Sequence, residues 1–104
     1  MLSTDQTDKI KIALIEDEEV LSAVLKDKLE KEGFEVYPAF DGEAGLTVVK
    51  DKMPDVILLD IVMPKMDGFG VLERLKNDEA LSKIPVIIIS NSGPSGKGSL
   101  TLSR

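Results

Sequence analysis

The sequence predicts an α/β fold with one doubly wound parallel sheet, and three observations carry that prediction. Short apolar runs recur along the chain, at 10–15, 34–39, 56–59 and 84–90. Stretches with helical spacing of apolar residues separate them. Two of the runs end in carboxylates, Glu16-Asp17 and Asp60. Strands covered on both faces read as unbroken apolar runs rather than as alternation. Strands that alternate with helices pair in parallel through right-handed crossovers. Acids at strand ends then gather at the carboxyl edge of the sheet, where open α/β folds place their chemistry.

Each element has a local reason. Met1 to Asp8 is polar and reads as a tail. Ile10 to Ile15 is the first strand. Glu18 to Glu32 is an amphipathic helix with Leu21, Val24, Leu25 and Leu29 expected inward, and Gly33 stops it. Phe34 to Ala39 is the second strand. Asp41 caps a second helix that turns Ala44, Val48 and Val49 inward. Met53-Pro54 ends it, because a residue before proline avoids helical angles. Val56 to Leu59 is the third strand. Gly68 to Asn77 is a third helix, with Phe69, Leu72 and Leu75 expected inward. Ile84 to Ser90 is the fourth strand. The remaining segment, 91–104, is rich in glycine and serine. Two readings of it stay open: a flexible tail, or a short strand at Ser99-Leu100-Thr101-Leu102-Ser103 that folds back after a glycine turn.

Composition narrows the function. The 104 residues suit one domain. Hydrophobic residues make up 42 %, which excludes disorder throughout. The net charge is −6 and no Lys/Arg-rich run occurs, so nucleic acid is not an expected partner of this chain. There is no cysteine, hence no disulfide or thiol chemistry, and no histidine, the commonest general base and zinc ligand. Apolar runs are too short to span a membrane, and residues 1–9 carry no signal peptide. The expected setting is cytoplasmic.

If the first and third strands are neighbours, Glu16, Asp17 and Asp60 converge. Crowded carboxylates resist ionisation together. A hard divalent cation with oxygen ligands relieves that repulsion, and a positioned carboxylate can then act as a nucleophile toward phosphorus. Glu18 and Glu19 have a plainer role, as acids that favour the start of a helix dipole.

Taken together, these residues resemble the receiver domain of two-component response regulators. The resemblance rests on Ile15-Glu16-Asp17, on Leu58-Leu59-Asp60, on Met63-Pro64 and Asp67-Gly68 after it, and on Ile84-Pro85-Val86 leading to Ser90. It covers residues from about 10 to 92, with 1–9 as a polar tail and 93–104 as a tail foreign to the family. It implies a flavodoxin-like sheet in the order 2-1-3-4-5. It implies that Asp60 accepts a phosphoryl group from a histidine kinase or phosphotransfer protein. It implies Mg²⁺ held by Asp17, Asp60 and the backbone carbonyl of Val62, with Glu16 acting through a metal-bound water. Ser90 would contact the phosphoryl oxygen. Such a domain is a signalling module, not an enzyme.

The chain departs from the family after Ser90. The resemblance implies a further helix, a fifth strand ending in a lysine, and a last helix; none is legible in the residues that follow, and Lys97 does not match that lysine in spacing or surroundings. The expectation is therefore a receiver domain without its fifth strand and last helices, impaired in phosphorylation. Its fourth strand would be an open apolar edge through which two chains form a homodimer. The alternative function is a receiver-like remnant that serves only as a dimerisation or interaction module. A haloacid-dehalogenase-type phosphatase is disfavoured, because that class needs an aspartate where Val62 stands.

Overall fold

The computed structural model describes residues 9–61 and 68–90 and the backbone strand at 99–103. Its elements in chain order are β1 (Lys11–Ile15), α1 (Glu19–Lys31), β2 (Glu35–Ala39), α2 (Gly42–Lys52), β3 (Val56–Asp60), α3 (Gly68–Lys76), a 3-10 turn (Leu81–Lys83), β4 (Val86–Ser90) and β5 (Ser99–Ser103). The sheet order is β2-β1-β3-β4-β5. The first four strands are parallel to their neighbours, with Ile15 opposite both Ala39 and Leu59, and Leu59 opposite Ile88. This is the doubly wound, flavodoxin-like sheet that the alternation of runs predicts.

Local chemistry sets the helix ends. Asp41 Oδ1 accepts the Ala44 N–H at 2.8 Å and so caps α2. At the other end of α2, Met53 sits in the left-handed region (φ 46°) and donates its N–H to Val49 O. Pro54 follows and cannot continue the helix. After α1 the chain reverses at Gly33, whose φ of 99° suits a residue without a Cβ. Its N–H bonds Glu30 O, and Phe34 N–H bonds Leu29 O.

The core lies on both faces of the sheet. Ala13, Ile15, Ile57, Leu59 and Val86 meet Leu46 and Val49 of α2 and Val71 and Leu75 of α3 on one face. Ile12, Leu14, Val36 and Ile89 meet Leu25 and Leu29 of α1 on the other. Leu14, Ile15, Ile57 and Leu59 are fully buried. Each contributes about 2 kcal/mol of transfer free energy, so the two central strands are the best anchored part of the molecule.

Three inward assignments are corrected. Val24 is 45 % and Phe69 63 % exposed, and Ala44 is also exposed. The buried stripes are rotated relative to the expected ones: Ser22 is buried on α1, Gly42, Gly45, Leu46 and Val49 on α2, and Gly68, Val71 and Leu75 on α3. Gly45 and Gly68 hold inward places where a Cβ would meet Ile15 or the Ile61 backbone, and their neighbours Ala44 and Phe69 are exposed.

The largest departure is at the C-terminal side. β5 pairs antiparallel with β4 along five positions, from Val86 opposite Ser103 to Ser90 opposite Ser99. The parallel fifth strand and last helices implied by the resemblance are not among the described elements; the fold-back strand stands in their place at the sheet's border. β4 is therefore not the open edge on which the homodimer expectation rested. Its backbone groups are satisfied within the chain, which removes that motive for pairing.

Candidate metal centre

β1 and β3 are adjacent and in register, so their last residues reach the same edge together. Ile15 stands opposite Leu59, and the next residues along are Glu16 and Asp60. Glu16 N–H donates to Ala39 O at 3.0 Å, which fixes the exit of β1 against β2. One carboxylate oxygen from each of Glu16, Asp17 and Asp60 lies within 4.8 Å of the others. Glu16 is 2 % and Asp60 7 % exposed, while Asp17 is half-buried and opens the group toward solvent.

Glu16 is anchored through one of its two oxygens. Its Oε2 accepts the Glu18 N–H at 2.9 Å, tying the carboxylate to the entry of α1. That contact satisfies a backbone donor at a helix start where the Glu18 side chain makes no capping bond. Its Oε1 is enclosed and has no hydrogen-bond partner. Burial pushes the Glu16 carboxyl up to about 7, with the charges of Asp60 and Asp17 and a hydrogen bond with Asp17 adding to the rise; the Glu18 N–H opposes it.

These features fit a divalent cation. A buried carboxylate oxygen without a donor calls for a partner, and a bound cation is one that would satisfy it. An all-oxygen set of carboxylates suits Mg²⁺ or Ca²⁺ over softer metals. A cation there would also offset the burial and the neighbouring charges that together push the Glu16 carboxyl up.

The remaining predicted site residues fall differently. Val62, Met63, Pro64 and Asp67 lie outside the described residues, as does Lys97. Ser90 is the last residue of β4, one beyond Ile89, which stands opposite Asp60. Its backbone thus reaches the same edge as the three acids.

Two features escaped the sequence reading. One is the second role of Glu16 at the start of α1. The other is Gly68. Its N–H donates to Ile61 O at 2.6 Å. A Cβ there would lie 2.0 Å from Ile61 Cα and 2.6 Å from Asp60 O. The first residue of α3 therefore presses directly on the peptide that follows Asp60. The available signal was a glycine opening a helix soon after a strand-end acid.

Among the described residues no helix is long and apolar enough to cross a membrane. Comparison with known proteins agrees with the geometry. The model of the response regulator receiver domain family matches residues 12–98. A probable transcriptional regulator of Guillardia theta is 37 % identical over 92 residues, 88 % of this chain and 35 % of its own length. Response regulator PleD of Caulobacter vibrioides is 41 % identical over 80 residues, 77 % of this chain and 18 % of its own. The chain thus spans about a third or less of these relatives. Among solved structures, the N-terminal domain of a response regulator receiver protein from Methanoculleus marisnigri superposes with a TM-score of 0.77 at 35 % identity, covering 83 % of this chain and 72 % of that one. A Francisella response regulator receiver domain gives 0.75 at 30 %, covering 86 % and 73 %. With sheet order, acid cluster and sequence in agreement, the chain belongs to the response regulator receiver domain family.

Proposed function

We propose that this receiver domain accepts a phosphoryl group on Asp60, from the phosphohistidine of a kinase or phosphotransfer protein. The observation that carries the reading is the acid cluster: a nearly buried strand-end aspartate beside two more carboxylates, one of them with an orphaned oxygen. An Asp60 carboxylate oxygen attacks phosphorus, the phosphorus–nitrogen bond of the donor breaks, and the released imidazole takes up a proton. The product is an acyl phosphate on Asp60. Anchoring at the end of β3 holds the nucleophile in line without any catalytic base, consistent with the lack of histidine. Glu16 and Asp17 are the residues that would hold Mg²⁺ with Asp60. When bound, that ion supplies charge neutralisation between nucleophile and phosphoryl oxygens. Glu16 is fastened by its Oε2 to the Glu18 N–H, which holds its carboxylate at the cluster. Ser90 is proposed to contact the phosphoryl group from the end of β4. The reading carries with it a cytoplasmic setting, where such phosphodonors are made.

Incubation with acetyl phosphate and Mg²⁺, followed by peptide mass mapping, tests this. The expected result is one phosphoryl addition, on the peptide containing Asp60, that Asp60→Asn abolishes. Labelling of Asp60→Asn, or of another site in the parent, would refute it. Absence of any labelling in the folded parent would favour the alternative of a receiver-like interaction module.

A further inference from the structure

The two borders of this sheet are built differently. β2 is one border. It carries Glu35 at its start and Pro38 near its end, with Pro38 opposite Leu14. A charge and a residue lacking an N–H are the usual means by which an edge strand avoids pairing with another chain. β5 is the other border. Its residues are Ser-Leu-Thr-Leu-Ser, with no charge, no proline and no glycine. One side of its backbone pairs with β4, and among the described residues no further strand follows it in the sheet.

That sequence also reads the same in both directions. An antiparallel partner strand of the same sequence, related by a two-fold axis through Thr101, places Thr101 opposite its counterpart, each Leu100 opposite a Leu102, and each Ser99 opposite a Ser103. Cross-strand matches of like β-branched or aliphatic residues support pairing. A two-fold axis makes the contact self-complementary and closed, so it stops at two copies.

We propose that two copies of this chain associate edge to edge through β5, forming one continuous sheet with the symmetry axis at Thr101. The partner is a second copy, because an identical antiparallel strand in this register matches like with like at all five positions. This dimer leaves the pairing of β4 with β5 intact within each chain. It does not use the edge of β4.

Light scattering on the 104-residue chain provides the first test. The expected mass at submillimolar concentration is twice the chain's 11.3 kDa, falling on dilution; a constant single-chain mass overturns the proposal. Cysteine scanning provides the second, since the chain has no native cysteine. Directly opposed residues of antiparallel strands have Cα atoms about 4.5 or 5.5 Å apart, within the range for a disulfide. Thr101→Cys is expected to form a covalent dimer on mild oxidation. Thr47→Cys, on an exposed turn of α2, is expected not to. Equal cross-linking of the two variants overturns the proposal. So does a dimer that Thr101→Cys fails to capture, because strand exchange between copies would leave residue 101 beside residue 88 and not beside its twin. A third variant, Thr101→Lys, puts a charge on the axis and is expected to be monomeric with an unchanged far-ultraviolet spectrum. Persistence of its dimer overturns the proposal.

Discussion

Replacing Glu16 with glutamine should make the metal-free protein more stable at pH 8 and leave it little changed at pH 4.5. Glu16 is raised from 4.5 to about 7 in the folded chain. Between those values the folded chain holds a proton that the unfolded chain has lost. Stability therefore falls as pH rises through that window and levels off above it. A rise of about 2.5 units, at about 1.36 kcal/mol per unit, sets a ceiling of about 3 kcal/mol. Water reaching the half-exposed Asp17 side screens part of this, so about 1–3 kcal/mol is the working range. Glutamine keeps an oxygen for the Glu18 N–H and cannot ionise, so the gain appears without loss of that contact. The assay is urea unfolding in chelator at pH 4.5, 6 and 8. The parent should lose stability across the series relative to Glu16→Gln. Parallel pH profiles for the two proteins would refute the reasoning. Added Mg²⁺ should reverse the order at pH 8, because the variant lacks a carboxylate donor.

Gly68→Ala should lower stability by about 1–3 kcal/mol, the usual cost of forcing a methyl into filled space, because its Cβ would fall 2.0 Å from Ile61 Cα. It should also reduce labelling at Asp60, since the displaced peptide adjoins that residue; a parent-like melting curve would contradict it. Asp41→Ala should cost about 1 kcal/mol through loss of the α2 cap, read as a lower urea midpoint with labelling at Asp60 unaffected.

Much of the molecule was legible because its signals are local. The runs ending at Ile15, Ala39 and Ser90 became strands with the expected C-terminal limits, and the cap at Asp41 and the stop at Gly33 stand where their chemistry requires. Convergence of Glu16, Asp17 and Asp60 followed from strand order alone. What failed depended on distances between elements. Periodicity cannot say which of two adjacent residues faces a sheet, so Phe69 and Ala44 were expected inward while Gly68 and Gly45 hold those places. Backbone proximity decides that, and it leaves no trace in hydropathy. The 3-10 turn at Leu81–Lys83 was too short to show a period. The fold-back of β5 was visible as alternation, but its preference over an open edge depended on the hydrogen bonds that β4 could recover.

The acid cluster also has a consequence for folding kinetics. More than forty residues separate Asp17 from Asp60, and α1, β2 and α2 lie between the paired strands β1 and β3. Contacts so distant in sequence form late and carry the entropy of closing a long loop. The complete three-acid site exists only once β1 and β3 are paired, since each strand end alone contributes part of the cluster. A ligand of the cluster therefore meets it only in the native state. It should leave the refolding rate nearly unchanged and act by slowing unfolding. For a signalling domain this means that occupancy of the site lengthens the lifetime of the fold itself.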